Sequence, residues 1–343
     1  MPSVSSPQSN LWLHRYCVLL CAATLGLLCI GGLVTSKGVG MAVPDWPNTY
    51  GYNMFLFPIS KWVGGIFYEH THRLAASGVG FLTVILALWL WLKEPRRWMK
   101  RLGVVALSAV ILQGVLGGLR VTLIKDEIGI FHGTLAQLFF SLTAALAVFT
   151  SPWWRQVSAA AEDQALAVGL QKKVLILTGV ILFQLVLGAT MRHQHAGLAI
   201  PDFPLAYGTV YPDTDVVAIN RYNHARMETT AVKPITAFQV HLQMAHRFTA
   251  LLILVGAGWV WRSVRAAQGS CDLVLRFSNV WLGLICAQAA LGAATIWSGK
   301  SADVATSHMA FGALSLMTGC VFAVILGRLA WIARRGSFGT PVR

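Results

Sequence analysis

The sequence predicts an all-α integral membrane protein, with eight transmembrane helices set as two tandem four-helix bundles in a parallel pseudo-two-fold repeat. Three observations predict it. The chain is 56% hydrophobic and 12% charged, with a mean hydropathy of +0.62, far more apolar than a soluble domain. Eight runs approach the roughly 20 apolar residues that a helix needs to cross a bilayer. Residues 31–51 (GGLVTSKGVGMAVPDWPNTYG) also align without a gap to 188–208 (GATMRHQHAGLAIPDFPLAYG), and internal repeats of this kind mark many membrane folds.

The first run, 16–35, follows a leader with His14 and Arg15. No small-x-small cleavage site lies behind it, so it reads as a retained helix rather than a secretory signal. It ends on Ile30-Gly31-Gly32 and opens into a long loop, 36–68. The second run, 72–92, is entered through Glu69-His70-Thr71-His72-Arg73. The third, 102–122, carries Gln113 and ends on Leu116-Gly117-Gly118, and the fourth, 130–150, begins near His132. The fifth, 172–192, carries Gln184 and ends on Leu187-Gly188-Ala189 before a second long loop, 193–240. The sixth, 241–262, is entered through Gln243-Met244-Ala245-His246-Arg247. The seventh, 274–297, carries Gln288 and ends on Leu291-Gly292-Ala293, and the eighth, 306–332, begins near His308. The expected organisation is a tail over 1–15, a half over 16–150, a linker over 151–171, a second half over 172–332 and a tail over 333–343.

A formal charge of +14 on a soluble protein would suggest nucleic acid. Its distribution points instead to a membrane among its lipids. Lys93, Arg96, Arg97, Lys100 and Arg101 follow the second run; Arg155, Lys172 and Lys173 the fourth; Arg262, Arg265 and Arg276 the sixth; Arg328, Arg334 and Arg335 end the eighth. All fall on one side of an alternating chain, and Lys/Arg-rich short loops stay in the cytoplasm. Both termini are therefore expected inside a bacterial-type inner membrane, with the long loops outside. The six cysteines offer neither an outer-loop pair nor a CxxC, so no disulfide framework or thiolate metal site is indicated.

The repeat extends through the chemistry. His72-Arg73 matches His246-Arg247, Gln113-x3-Gly117-Gly118 matches Gln288-x3-Gly292-Ala293, and His132 matches His308. Each half thus supplies two histidines from two helices at one depth, near the outer face. A lone histidine in a membrane helix reads as a packing residue or proton relay. Two at one depth in each half are what an iron porphyrin needs for axial ligands, whereas zinc or copper held by two imidazoles alone would be under-coordinated. Arg73 and Arg247 suit haem propionates, whose carboxylates a guanidinium pairs bidentately, or else anchor the helix ends at the interface. Arg120 and Arg192 are weaker candidates for the same task. The small-residue steps, one turn after Gln113, Gln184 and Gln288, serve helix packing or clear room for a flat macrocycle.

The halves differ at one place. Glu69, three residues before His72 and on its face, is replaced by Gln243 before His246. A membrane-boundary carboxylate beside a haem suggests reactivity; capping of the second helix is the competing reading. Asp45 and Asp202, flanked by prolines, read as turn formers, with Trp46 and Phe203 as lids. His14, His70, His193, His195, His224 and His241 lack matched partners and read as surface or packing residues, His241 being the foremost exception.

With Glu69-x-x-His72-Arg73, His132, His246-Arg247, His308 and the paired Gly-rich helix ends in place, the chain resembles the haem A synthase family from about residue 16 to 332. That resemblance implies oxidation of the C8 methyl of haem O to the formyl group of haem A, through successive hydroxylations, for cytochrome oxidase biogenesis. It implies that His72 and His132 hold the substrate haem O, that His246 and His308 hold a permanent haem b, and that Glu69 handles protons or stabilises a cationic intermediate. It further implies a haem O synthase and cytochrome oxidase assembly proteins as partners, with the electron donor unidentified. Some family members carry an outer-loop cysteine pair that this chain lacks. The rival readings are a di-haem cytochrome b taking electrons from quinol, which has no need of the Glu69/Gln243 inequality, and a transporter, whose site would lie near the midplane in broken helices.

Overall fold

The computed structural model describes residues 10–157, 161–229, 234–267 and 272–336. Among these the chain is helical: α1 (Leu11–Ser36), α2 (Gly64–Lys93), α3 (Arg97–Thr122), α4 (Ile128–Thr150), α5 (Pro152–Gln156), α6 (Ala161–His193), α7 (Val216–Thr229), α8 (Ala237–Ala266), α9 (Asp272–Trp297) and α10 (Ala302–Gly336). Eight of them, all but α5 and α7, are long and apolar enough to cross a membrane.

The helices begin earlier than the apolar runs. α2 starts at Gly64 rather than 72 and α8 at Ala237 rather than 241, so the four histidines lie inside their helices instead of at the first turn. The polar stretch Glu69-His70-Thr71 continues the helix because breaking it near lipid would orphan backbone N–H groups. Hydropathy registers only the apolar part. Likewise the segment 151–171, expected as a linker, is helical over Pro152–Gln156 and again from Ala161. The short α5 starts where the Ser151 hydroxyl accepts from Trp154 N–H at 3.2 Å, with Pro152 at the first helical position, a residue whose missing N–H costs nothing there.

α1 packs on α2 and α4, and α3 closes that group against α2 and α4; α6, α8, α9 and α10 form a second closed group in the same way. The groups meet through α10 against α1 and α4, and α4 against α6. Accordingly 56% of the α4 span and 67% of the α10 span are buried, against a third or less of every other span, which makes these two helices the shared wall. Leu20, Leu86, Leu90, Met99 and Leu146 form the core of the first group, and Leu177, Ile285, Trp281, Phe322 and Leu326 that of the second. Leu28, Phe140 and Ala313 pack between them. The Trp281 indole, fully buried, donates to the Ser315 carbonyl at 2.9 Å, which satisfies its one polar atom. The exposed apolar side chains of the peripheral helices, such as Leu92, Ile111 and Leu252, face where lipid would be.

Candidate functional site

Each of the four histidines lies over a glycine of the preceding transmembrane helix. A Cβ built on Gly31 would fall 2.9 Å from His72 Cε1; on Gly117, 3.2 Å from His132 Cε1; on Gly188, 3.2 Å from His246 Cε1; and on Gly292, 3.1 Å from His308 Cε1. A methyl group at any of them would press on the ring. The small-residue steps therefore admit imidazoles, a use distinct from helix packing and from clearing room for a macrocycle.

The glutamines one turn earlier brace the same segments. Gln113 Nε2 donates to the His132 carbonyl at 3.0 Å and Gln184 Nε2 to the His246 carbonyl at 2.9 Å. In the remaining pair the Gln288 backbone carbonyl lies 3.1 Å from His308 Nδ1. A proton on Nδ1 there leaves the Nε2 lone pair for another partner. Nδ1 of His72, His132 and His246 is buried without a hydrogen-bond partner. The His246 and His308 rings stand 6.5 Å apart, centroid to centroid, at 72°.

Two proline-flanked turns, built alike, are bonded to the histidine-bearing helices α2 and α8. Asp45 accepts from the N–H groups of Tyr50 and Gly51, both at 2.8 Å; Asp202 accepts from Tyr207 at 2.7 Å and Gly208 at 3.0 Å. Tyr50 and Tyr207 have positive φ (50° and 51°), as do Gly51 and Gly208 (77° each). The aspartates thus hold left-handed turns, as expected of turn formers. The tyrosine hydroxyls donate to the Ala42 and Ala199 carbonyls at 2.5 and 2.6 Å. Partial burial pushes the Asp45 carboxyl up, but the Gly51 and Tyr50 N–H groups and the Arg73 charge outweigh it and hold it below the usual carboxylate range.

Glu69 and Gln243 latch these turns to their helices. Glu69, buried, accepts from Val43 N–H at 2.9 Å and from Arg73 at 2.8 Å. Gln243, equally buried, accepts from Ile200 N–H at 2.7 Å and donates to the Ile200 carbonyl at 3.2 Å. Val63, not Glu69, is the N-cap of α2, so capping does not explain the carboxylate. Arg73 also donates to the carbonyls of Val43, Asp45 and Asn48 at 2.7, 2.6 and 3.0 Å. Arg247 donates to those of Asp202 and Leu205 at 2.7 and 2.9 Å, and its Nε is buried without a partner.

Trp46 lies against Gly118 at the end of α3, and Phe203 against Trp297 at the end of α9, 5.9 Å between ring centroids. Arg120 pairs with Asp126 at 3.2 Å; Arg192 reaches across to α1, donating to the Gly32 carbonyl at 2.8 Å and to the Ser36 hydroxyl. Four of the unmatched histidines have local partners. His70 sits between Thr49, Phe57 and Trp62, His193 packs on Gly129, His14 meets the Ala147 carbonyl, and His241 bonds Tyr211 at 2.7 Å. Sequence reasoning missed the latch partners Val43 and Ile200 and the turn tyrosines. The tyrosines stood in the repeated PDxPxxYG; the latch acts on backbone N–H groups, which no residue type announces.

The His246–His308 pair fits an iron porphyrin: two imidazoles that each held one iron at about 2 Å would stand with centroids about 6 Å apart, close to the observed 6.5 Å. Among the described residues no group of three His, Cys, Asp or Glu gathers as a metal cluster would.

Comparison with known proteins adds to this geometry. The profile of the cytochrome oxidase assembly protein family (COX15-CtaA) matches residues 58–320. A protein of Shouchella clausii named heme A synthase is 30% identical over 296 residues, covering 83% of this chain and 86% of its own length. Proteins of the same name from Chelativorans sp. and Nitrosomonas eutropha are 25% and 23% identical, over 96% and 92% of this chain and 93% of each relative.

Proposed function

The chain belongs to the cytochrome oxidase assembly protein family COX15-CtaA, and from that premise we propose that it is a haem A synthase. It is an oxidoreductase that converts haem O to haem A. The observation that carries the site assignment is the seating of four imidazoles on four glycines, with the His246 and His308 rings 6.5 Å apart, a spacing at which both would hold one iron.

In this reading His246 and His308 hold a resident haem b, and His72 and His132 hold haem O, whose C8 methyl becomes the formyl group. Bound iron porphyrin supplies the redox chemistry; the chain supplies ligands, orientation and proton handling. Gln113 and Gln184 brace the ligand-bearing backbone, and Gln288 fixes the His308 tautomer. The two turns, tied down by Glu69 and Gln243, cover the sites from outside. Arg247 keeps a buried Nε–H for a propionate, and Arg73, on the matching position, orders the turn that a propionate would meet. Glu69 is assigned the catalytic acid–base role, because its carboxylate lies one turn from His72 and retains acceptor capacity beyond its bonds to Val43 and Arg73. The two four-helix groups form a parallel repeat in the inner membrane, with both termini cytoplasmic and the histidine sites near the outer face. The haem O synthase that supplies the substrate and the assembly proteins that take the product are natural partners, and haem A leaves for cytochrome oxidase.

Expressing the chain with a haem O source and identifying the extracted haems by mass tests this reading. Haem b together with haem A is expected. A well-folded protein without haem overturns the ligand assignment, and haem b without any formyl product overturns the activity.

A further inference from the structure

The two proline-flanked turns carry different superstructures. Beyond the first, residues 53–62 form a strap with two single 3-10 turns, Met54–Leu56 and Ile59–Lys61. Among the described residues the strap's hydrogen bonds run only to residues 52–63: Lys61 Nζ to the Tyr52 hydroxyl at 2.7 Å, Trp62 Nε1 to the Phe57 carbonyl at 3.4 Å, and the short bonds of its own turns. What holds it to α2 is packing. Phe57 is buried with its ring 5.0 Å from His70, and Trp62 lies 4.8 Å from the same imidazole. His70 Nε2 is buried without a hydrogen-bond partner. An orphaned polar atom disfavours the closed arrangement, because water would satisfy it once the rings withdrew.

Beyond the second turn the chain instead builds α7. Its Tyr222 lies flat on the turn tyrosine Tyr207, ring centroids 3.6 Å apart at 6°, whereas the matching Tyr50 meets Phe57 of the strap at 6.4 Å. Ala218 and Tyr222 are buried in one apolar cluster with Met244 and with Ile200, the residue that Gln243 grips. Met244 stands where the first half has His70, so no orphaned imidazole opposes this packing. Asn223 Nδ2 donates to the Ile235 carbonyl at 3.1 Å, and Asn223 Oδ1 accepts from the Ile235 N–H at 2.7 Å. Ile235 directly precedes Thr236, the N-cap of α8. Local opening costs more where apolar contacts are buried and hydrogen bonds join elements. The strap can lift without breaking a hydrogen bond to a transmembrane helix; α7 must break the Asn223–Ile235 pair and uncover Tyr222.

On the haem reading given above, we propose that α7 is a clamp that keeps the resident haem of the C-terminal half from leaving, with Tyr222 and Asn223 as its positioning residues. The strap is the releasable counterpart, by which the N-terminal half exchanges its porphyrin with the membrane. The turns themselves are fastened alike, and the superstructure on each decides how often its turn opens. A product that is handed on suits the light fastening, and a cofactor that stays suits the heavy one.

The test uses the full-length protein loaded in one half at a time, with haem b in His72→Ala and haem O in His246→Ala, and follows haem transfer to excess apomyoglobin by absorbance. Release from the C-terminal half is expected to be slower by about tenfold or more. In the His72→Ala parent, Tyr222→Ala and Asn223→Leu should each speed release by about tenfold with the haem spectrum unchanged, while Tyr222→Phe, which keeps the stacked ring, should release as slowly as the parent. In the His246→Ala parent, His70→Met, which copies the second half, should slow release. Hydrogen exchange of the wild type should show the strap amides less protected than those of α7. Equal protection of the two segments, or release from Tyr222→Ala and Asn223→Leu at the parent rate, would overturn the clamp alone. A folded chain that takes up no haem would overturn the ligand assignment and the clamp with it.

Discussion

Val43 and Ile200 hold the same place in the two halves, and the side chains that grip them, Glu69 and Gln243, differ only in an oxygen exchanged for an NH₂. The amide of Gln243 uses both its ends on Ile200, donating to the carbonyl and accepting from the N–H. The carboxylate of Glu69 has no proton to donate, so Arg73 takes over the Val43 carbonyl and pairs with Glu69 itself. The C-terminal latch is therefore neutral and complete in one residue, whereas the N-terminal latch is an ion pair that needs two. An inequality read from sequence as reactive against inert is, in the first instance, two solutions to one mechanical task. A neutral amide would have served both halves, so the charge retained in the N-terminal half is what calls for a chemical explanation.

Removing ligands is the most severe way to break this comparison. His246→Ala or His308→Ala should abolish the resident b-type haem, whereas His72→Ala or His132→Ala should leave it and stop formyl production. Reduced-minus-oxidised spectra with haem extraction read both effects, and equal haem loss from either half would show the sites to be alike.

Glu69→Gln sharpens the comparison, because it gives the N-terminal half the latch that the C-terminal half already uses. Folding and haem content should survive, while haem A formation falls by about 10²-fold or more, the usual contribution of a positioned acid or base. Undiminished haem A production would leave Glu69 as a latch alone. Glu69→Ala is the control: leaving Arg73 buried without its carboxylate costs about 3–5 kcal/mol, so its losses should include stability.

The smallest effect separates the turns by pH. Because the folded Asp45 carboxyl is held below its ordinary value, its contribution is complete at neutral pH and disappears as pH falls through the folded value, below about 4. Protection of the Tyr50 and Gly51 amides, taken relative to their intrinsic exchange rates, should fall there, and Asp45→Asn should already show that loss at pH 7. Protection factors unchanged down to pH 3 would assign the turn's order to Arg73 instead.

What was legible in the sequence follows from what lipid demands. Eight apolar runs could be counted because every spanning segment must satisfy its own backbone in a helix, and the matched histidines could be paired because each kept its helix position. The true starts of α2 and α8 were hidden, since Glu69, His70 and Gln243 are polar yet helical. α7 was hidden too: Asn220, Arg221, Asn223 and His224 carry no apolar period. The glycine steps could be seen but not interpreted, because their meaning lies in an imidazole from another helix, 41 positions away for Gly31 and His72 and 15 for Gly117 and His132.

Among the described spanning helices α10 leaves the ribosome last, yet it touches α1, α4, α6 and α9. The α10 side of the wall common to both helix groups is consequently made well after its α4 side, and the first four spans must wait in the bilayer with one flank of α1 and α4 turned to lipid. A stop codon between α9 and His308 would strip both groups of α10 and would remove His308 as well. Membrane quality control would thus meet the same exposed flank in every truncation that removes α10.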